Sequence, residues 1–444
     1  MRWRELFLGA RGPLTFGIVL VELIAAVQAS VTVTIMPAVS HDLGGLQFYG
    51  LVFSAYFLTG MAATPLAGGA ADRWGPGRPF AAMVGLFALG TMLCALAPSM
   101  PVLAACRGVQ GFGAAAQYTM AYGAIAKAYP EAGRARMMTL LSAVWTIPGV
   151  LGPAYGSLVA STVGWRWAFL SLLPLLALAF LLTLPQMTRV AGGASGTSLD
   201  PRWPVLLALG TGVLLSSLST LSPASLPLAA GGLAVAVVAM VKVLPAGTFR
   251  AAAGLPAAVA VSFFGNAGYN MVYAFFPLLI TQVRGRSLAE GGLVVTLLTV
   301  SWTFGAWWQS RLVTRTSHRR LVVGGCLVLS AGVAVSASAL AGAPLVLAYA
   351  GWVFGGVGIG IFFQSILMVA MEAAPAGSET TAVASTQLAI RIALAVGTGA
   401  GGAIIAVAGL LGASLAGALA VIFAVSLLSS LAASLLGLRL PARS

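Results

Sequence analysis

The sequence predicts an all-α polytopic membrane protein. Hydrophobic residues occupy 59% of the 444 positions, and charged residues occupy only 7%. A soluble domain carries about 25% charged residues, so this chain has too few to cover a water-facing surface. Apolar runs of roughly 18 or more residues recur along the chain, each long enough to cross a bilayer as a helix. The runs are continuous rather than alternating, which argues against a transmembrane β-barrel.

The apolar runs predict about fourteen transmembrane helices. In chain order they cover residues 14–38, 46–70, 79–98, 101–127, 136–161, 165–186, 205–222, 226–244, 255–281, 289–310, 321–342, 344–371, 380–406 and 409–437. Arginine and lysine lie mainly in the loops and tails on the side of the N-terminus, whereas the loops of the other side hold Arg166, Arg284 and Arg286. Since cytoplasmic loops carry the excess of positive residues, we expect both termini to be cytoplasmic.

Two helices in the middle of the chain are interpreted as an insertion. The runs at 205–222 and 226–244 are the shortest and the richest in glycine and serine, and they follow the one long polar connection, 188–204. Without this pair the chain has six spans, a linker and six spans; whether the pair crosses the membrane stays open. The expected parts are an N-terminal six-helix bundle at 12–187, a linker with the two inserted helices at 188–251, and a C-terminal six-helix bundle at 252–438.

Charge and cysteine content exclude several classes of function. The formal net charge of +14 lies mostly in loops on one side, so it sets the topology and does not indicate a nucleic-acid partner. Cys94, Cys106 and Cys326 lie in apolar runs without paired spacing, which predicts neither a disulfide framework nor a metal site. The sequence shows no ATP-binding loop, no nucleophile–base pair and no long soluble segment. We expect a protein that is not an enzyme and uses no cofactor.

The loop after the second span is dense in charge. It reads GGAADRWGPGR from Gly68 to Arg78 and combines Asp72 with Arg73. An acid beside arginines at a tight turn can cap the next helix and form a breakable ion pair between helices. The stretch resembles the hallmark loop of the major facilitator superfamily, G-x-L-A-D-R-x-G-R-R, with Ala70 in place of the usual leucine.

Three further stretches support the resemblance, which covers nearly the whole chain. RGVQGFG at 107–113 is similar to the family segment R-x-x-Q-G-x-G, and GWRWAFL at 164–170 matches a stretch common in drug exporters. The third stretch resembles the G-P-x-x-G antiporter signature, and its residues are Gly149, Gly152, Pro153 and Gly156. A proline and glycines at this spacing bend and thin a helix for close packing.

The fourteen spans and the antiporter signature together resemble the fourteen-helix drug:proton antiporter branch of the family. This resemblance implies two six-helix bundles that export hydrophobic or amphipathic small molecules, cationic ones included, by alternating access in exchange for protons. The expected location is a bacterial inner membrane, and the expected partners are cargo, protons and the lipid bilayer. Asp72, Arg73 and Arg78 would latch the cytoplasmic gate. We expect a monomer.

The candidate proton site is Glu22. The branch usually places an aspartate in the first span, where this chain has Gln28, so proton coupling needs another carboxylate. Glu22 lies about nine residues into the first span, ~13 Å deep by helical rise, where an acid must face a cavity, pair or stay protonated. Arg107 could tune it from the fourth span. A structural acid with a static interhelical arginine is the alternative interpretation.

Polar and aromatic residues within the spans are the candidates for cargo binding. They are Gln28, Tyr56, Gln117, Asn266, Tyr269, Asn270, Tyr273, Gln364, Gln387 and Arg391. Amides and aromatics among aliphatic residues suit amphipathic or cationic organic molecules. Interhelical hydrogen bonds and interfacial aromatic rings are the alternative explanation for any one of them.

Three other functions stay open at this point. The same machinery could export a lipid or an endogenous metabolite. A proton-independent uniporter or importer is favoured by Gln28, which cannot titrate. A non-transporting membrane scaffold or sensor is disfavoured by the short loops and the transporter-like motifs.

Overall fold

The computed structural model describes residues 3–8, 12–189, 200–374 and 379–441, and every regular element in these ranges is helical. The α-helices are α1 Trp3–Phe7, α2 Gly12–Leu43, α3 Tyr49–Trp74, α4 Gly77–Ala95, α5 Met100–Ala128, α6 Glu131–Val144, α7 Thr146–Thr162, α8 Trp165–Leu170, α9 Leu173–Met187, α10 Arg202–Thr220, α11 Ser225–Val243, α12 Leu255–Leu278, α13 Leu288–Leu312, α14 His318–Ser336, α15 Leu345–Glu372, α16 Glu379–Leu410 and α17 Leu415–Gly437. Short 3-10 turns cover Leu46–Phe48, Thr248–Arg250 and Ala337–Ala341, and a π-helical turn covers Leu279–Val283.

Twelve helical segments in these ranges are long and apolar enough to cross a membrane. They are α2, α3 with its preceding 3-10 turn, α4, α7 with most of α6, α8 joined to α9, α10, α11, α13, α14 with its following turn, α15, α16 and α17. The sequence predicted about fourteen spans, and the two runs outside these twelve correspond to α5 and α12. Both helices are long, at 29 and 24 residues, but polar side chains lie in their middle turns and lower their hydropathy.

The predicted span 136–161 matches one membrane-crossing segment of the structure, and this segment contains a local turn. Trp145 separates α6 from α7, and Pro148 follows in the first turn of α7. A proline has no N–H to donate, so it is tolerated near the start of a helix and disfavours an unbroken helix through this point. The break directs the Trp145 ring toward α2, where it contributes to the site described below.

The helices on either side of the central pair form two groups. In the first group, α5 packs against α3 and α4, and α2 packs against α7 and α9. In the second group, α15 packs against α13 and α14, and α17 packs against α12 and α14. Glycine permits the closest approaches, since a β-carbon at Gly111 would lie 2.2 Å from the Tyr56 carbonyl oxygen and one at Gly332 would lie 2.4 Å from the Gly355 nitrogen.

The central helices α10 and α11 lie against both groups. α10 packs on α3 of the first group and α16 of the second, and α11 packs mainly on α10 through Gly210 and Gly232. Much of α11 is exposed apolar surface, including Leu226 and Val238, which suits a helix that faces lipid.

The two groups meet along two seams. In the first seam, the Ser54 hydroxyl of α3 donates to the Ala395 carbonyl of α16 at 2.8 Å, and Gly50 faces Gly402 so closely that a β-carbon at either position would clash with backbone. In the second seam, Gly149 of α7 faces Thr299 of α13, and the Thr296 hydroxyl donates to the Val150 carbonyl at 3.4 Å.

The end of the bundle at the α2–α3 connection is closed between the two groups. The Gln282 amide donates to the Pro37 carbonyl at 3.3 Å and to the Ser40 hydroxyl at 3.2 Å, and the Tyr49 hydroxyl donates to the Ala274 carbonyl at 3.3 Å. These bonds link α2 and α3 to α12 and its π-helical turn. We call this the closed end.

Replacing Gly50 with valine should open the first seam. The new β-carbon would meet the Thr398 carbonyl oxygen at 2.2 Å, and overpacking of this kind costs about 1–3 kcal/mol. We expect a lower unfolding temperature in detergent and a lower yield of disulfide between cysteines introduced at Ser54 and Thr398. Gly85→Val is the matched control, because a β-carbon there has open space around it. Equal cross-linking in both variants would contradict the tight α3–α16 contact.

Candidate functional site

Glu22 is a buried acid that is hydrogen-bonded to Trp145, the residue between α6 and α7. It lies on α2 with 2% of its surface exposed, and its Oε1 accepts a hydrogen bond of 2.7 Å from the Trp145 Nε1–H. A carboxylate at this depth in an apolar helix is costly unless a polar partner or a proton stabilises it. The Trp145 indole N–H is therefore the polar partner of the Glu22 carboxylate.

Arg107 forms a separate buried network in the first group. Its guanidinium donates to the Gln110 Oε1, and the Gln110 amide in turn donates to the Thr91 hydroxyl of α4 at 2.8 Å. The guanidinium carbon lies 4.2 Å from the centre of the Tyr56 ring, while its Nε–H has no acceptor. This network links α3, α4 and α5. Between Arg107 and Glu22, both in described ranges, the structure has no hydrogen bond or ion pair.

Tyr56 lies near charged groups from both halves of the chain. Its ring stacks on Arg107, and Glu22 and Arg391 both lie within electrostatic range of its hydroxyl. Arg391 belongs to α16 in the second group and is partly exposed. Of the predicted set, the structure therefore puts Arg107 in contact with Tyr56 and places Glu22 and Arg391 within electrostatic range of the Tyr56 hydroxyl.

An aromatic cluster occupies the centre of the second group. Tyr269 stacks on Tyr273 with 5.6 Å between ring centres and packs edge-on against Trp302 at the same distance. Trp302 also contacts Phe363, and Trp352 lies parallel to Tyr269 at 6.3 Å. These five rings form an apolar wall with polar edges, and we call them the aromatic cluster.

The predicted amides lie in different environments. Asn266 and Asn270 are buried, and each amide donates at 2.9 Å to a carbonyl one turn earlier on α12 itself. Gln117 donates to the Met83 carbonyl of α4 at 3.2 Å, which joins two helices of the first group. Gln28 donates to the Thr32 hydroxyl at 3.4 Å and leaves its Oε1 without a donor.

The remaining predicted residues on α15 and α16 are more accessible. Gln364 is exposed, and Gln387 is partly exposed one turn before Arg391. Their side chains are thus available for contact with other molecules.

The residues of the antiporter-like signature lie at helix contacts on both sides of α7. A β-carbon at Gly152 would lie 2.1 Å from the Ser30 hydroxyl of α2, and one at Gly149 would lie 2.3 Å from the Thr299 side chain of α13. Gly156 faces Val31, and Pro153 packs against Gly292 of α13. The glycines thus allow α7 to pack tightly against its own group and the opposite group at once.

The predicted gate residues lie at the α3–α4 connection. Asp72 is partly buried near the end of α3, and Arg73 and Arg78 are exposed. The Arg73 guanidinium lies 5.6 Å from the centre of the Trp74 ring. Gly75 has φ +74°, a positive angle that glycine adopts readily and that permits the tight turn between the two helices.

A polar contact at the closed end was missed by sequence reasoning. The Trp165 Nε1–H and the Arg166 guanidinium each donate to the Asp42 Oδ2 at 2.9 Å, which joins the end of α2 to the start of α8. The GWRWAFL stretch contains the two donors, Trp165 and Arg166, but its distance along the sequence from Asp42 does not indicate that they meet. Trp145 was missed for the same reason, because it lies far from Glu22 in sequence.

Metal chemistry has no candidate centre in the described ranges, where no cluster of three or more His, Cys, Asp or Glu side chains lies close enough to hold an ion. Cys94, Cys106 and Cys326 are each buried and free.

The fold, the glycine seams and the central charged groups are those of a membrane transporter. The sequence profile of the Major Facilitator Superfamily matches residues 18–398, and the chain belongs to this family. A Mycobacterium tuberculosis protein named as a probable multidrug-efflux transporter is 28% identical over 433 residues, covering 91% of this chain and 89% of its own length. The Bacillus subtilis multidrug transporter protein MdtP is 25% identical over 71% of this chain and 61% of its own length.

Solved structures agree on the fold. A D-xylose-proton symporter superposes with a TM-score of 0.68 at 15% identity, covering 97% of this chain and 98% of its own. A bacterial homologue of the human lysosomal transporter Spinster, in an inward-facing and unoccupied conformation, gives a TM-score of 0.65 at 16% identity over 97% and 96% of the two chains. At these identities the likeness establishes the fold alone.

Replacing Trp165 with phenylalanine should weaken the α2–α8 contact without removing the buried ring. The loss of a hydrogen bond to a carboxylate at the surface should lower the free energy of unfolding by about 1 kcal/mol. Denaturant titration in detergent micelles would measure it. Trp167→Phe is the control from the same stretch, since that ring is 54% exposed. A similar loss in both variants would contradict a specific role for Trp165.

Proposed function

We propose that this chain exports hydrophobic or amphipathic small molecules in exchange for protons by alternating access. Two relatives that are named as multidrug-efflux or multidrug transporters support the export of such cargo. The observation that carries the proton-coupled part is the bond between the buried acid Glu22 and Trp145 at the break before α7.

Glu22 is suited to couple a proton to movement because of where its partner lies. Trp145 immediately precedes α7, and α7 forms the second seam through Gly149 and Val150. A hydrogen bond to an ionised carboxylate is roughly twice as strong as one to a neutral acceptor. Protonation of Glu22 therefore weakens its hydrogen bond with Trp145. Because Trp145 immediately precedes α7, the weakened bond affects the second seam through α7.

The direction of coupling follows from the two states of the acid. Ionised Glu22 holds Trp145 and stabilises the arrangement in which α7 packs on α13. Protonated Glu22 relaxes this hold and favours rearrangement of the seam. A proton taken up from one side and released to the other then drives the exchange of cargo in the opposite direction.

The cargo site in this proposal lies between Tyr56 and the aromatic cluster. Aromatic faces attract organic cations, and ionised Glu22 adds a negative charge, while Arg107 and Arg391 limit the affinity for highly charged cations. Gln28, Asn266, Asn270, Gln364 and Gln387 would supply hydrogen bonds as the halves move, and Tyr269 and Tyr273 the flat apolar surface. Gln117 would support the first group from within.

The proposal also assigns the topology. With both termini in the cytoplasm of a bacterial cell, the closed end would face outward. α5 and α12 would cross the membrane with the twelve apolar segments, which gives fourteen spans and the three parts 12–187, 188–251 and 252–438. Asp72, Arg73 and Arg78 would latch the cytoplasmic end when it closes, and a single chain would suffice.

Gln28 favours a second candidate function, proton-independent uniport. It stands where the related branch places an acid, and its Oε1 has no donor. The uniport proposal and the antiport proposal differ in their response to a pH gradient.

Replacing Glu22 with glutamine should abolish the response to a pH gradient. In proteoliposomes, we expect an imposed gradient to drive ethidium transport by the wild type, whereas Glu22→Gln should retain only passive flux. The reason is that glutamine accepts the Trp145 bond but cannot bind and release a proton. Glu131→Gln is the control, because Glu131 is an exposed acid at the start of α6. Wild-type flux that ignores the gradient would instead favour uniport.

Replacing Trp145 with phenylalanine should separate cargo binding from coupling. The acid remains, but its link to α7 is lost, and we expect gradient-driven transport to fall about tenfold with cargo affinity nearly unchanged. Binding can be followed by ethidium fluorescence and transport by the liposome assay. Trp167→Phe again serves as the control. Undiminished coupling in Trp145→Phe would exclude the proposed path from Glu22 to α7.

A further inference from the structure

A cleft rich in arginine opens between the end of α13 and the start of α14. Its volume is about 880 Å³, and its polar lining includes Arg315, Arg319 and Arg320. Its apolar lining includes Val323, Leu327 and Leu438, of which Leu327 and Leu438 are about half exposed. The cleft therefore combines three positive charges with an apolar surface on the outside of the bundle.

Among the residues that the structure describes, no carboxylate pairs with the arginines of this cleft. No Asp or Glu lines it, and the ion pairs that the structure gives between described residues are Arg166–Asp42 and His318–Glu372. The nearby Arg311 guanidinium is stacked on Trp307, with 4.2 Å to the ring centre. Three neighbouring arginines repel one another, so an external anion is the natural counter-charge.

The sequence explains why the counter-charge is missing. Residues 310–320 form a degraded copy of the 68–78 loop, in which Arg315 and Arg320 correspond to Arg73 and Arg78. Thr314 occupies the position of Asp72, and it lines the cleft. The second loop has therefore kept the arginines of the first and lost its acid.

The position of the cleft selects the kind of anion. α13 and α14 are both apolar enough to cross the membrane, so the connection between them lies at the membrane boundary. Trp307 and Trp308 are exposed about one turn before the end of α13, which is typical of rings at the level of lipid headgroups. An anion at this depth, beside exposed leucines, fits a lipid with a phosphodiester headgroup and acyl chains.

We propose that this cleft binds an anionic phospholipid. The guanidinium groups of Arg315, Arg319 and Arg320 hold the headgroup phosphate, and the acyl chains lie along Val323, Leu327 and Leu438. Basic clefts between membrane-spanning helices bind anionic headgroups in this way, and each arginine near a charged membrane surface adds to the affinity. The proposal concerns a site outside the transport pathway and does not depend on proton coupling.

Native mass spectrometry of the full chain in detergent tests the proposal. The probes are phosphatidylglycerol and phosphatidylcholine with identical acyl chains, and inorganic phosphate as a competitor. We expect phosphatidylglycerol to bind roughly tenfold more tightly than phosphatidylcholine, and the triple variant R315Q/R319Q/R320Q to lose about a hundredfold in phosphatidylglycerol affinity. Equal affinity for the two lipids, or an unchanged triple variant, would overturn the proposal.

A matched control separates the cleft from general surface charge. R189Q/R202Q/R250Q removes three exposed arginines that lie outside the cleft. We expect this control to keep phosphatidylglycerol affinity within about threefold of the wild type. An equal loss in both triple variants would indicate a diffuse charge effect and overturn the site. Displacement of phosphatidylglycerol by an equal concentration of inorganic phosphate would overturn the lipid as its occupant.

A second variant keeps the test valid if the triple variant does not fold. Thr314→Glu leaves all three arginines and restores an acid at the position of Asp72, so it supplies the missing counter-charge from within. We expect phosphatidylglycerol affinity to fall about tenfold while the unfolding temperature in lipid-free detergent stays the same or rises. Unchanged phosphatidylglycerol affinity in Thr314→Glu would contradict the proposal.

Discussion

Close approach of helix backbones is the constraint on which this structure depends. Lipid is as apolar as the side chains it meets, so helices gain little from hydrophobic burial and associate through close packing and hydrogen bonds. Glycine makes this possible within each group, as where Gly90 of α4 meets the Gln110 backbone of α5 and Gly358 of α15 meets the Leu329 backbone of α14. The same device operates at only a few positions between the groups, among them Gly50 and Gly149. The two groups are therefore more firmly packed inside than against each other.

The hydrogen bonds between helices vary in length. Within the groups, the Thr59 hydroxyl donates to the Gly108 carbonyl and the Ser426 hydroxyl to the Gly268 carbonyl, both at 2.7 Å, and the Gln117 amide donates to the Met83 carbonyl at 3.2 Å. Between the groups, the bonds from Gln282, Tyr49 and Thr296 are 3.2–3.4 Å long, with Ser54 as the shorter exception. Bonds of this length are readily exchanged for bonds to water. The seams can therefore separate at modest cost while each group stays intact.

The sequence predicted the helical membrane fold and the family because both can be recognised from short, local sequence patterns. A continuous apolar run can be recognised without knowing which helices pack against it. The motif around Asp72 likewise lies within a single loop. The α6–α7 break was missed because a proline near a helix start has two interpretations, a kink or a new beginning, and only packing decides between them. The depth of Glu22 follows from counting along α2, but its partner Trp145 is contributed by a distant helix, so no spacing predicts the pair. Asn266 and Asn270 lie one helical turn apart in the sequence, but this spacing contains no information that each amide bonds to α12 itself.

The position of α10 between α3 and α16 also bears on how the protein is made. α10 leaves the ribosome after α3, but its second partner, α16, is almost the last helix to be synthesised. Until then the α10–α11 hairpin lacks one of its two neighbours, and Leu215 lacks its contact with Gly399 of α16. The α10–α11 hairpin can therefore reach its final packing only after α16 has been inserted beside α3.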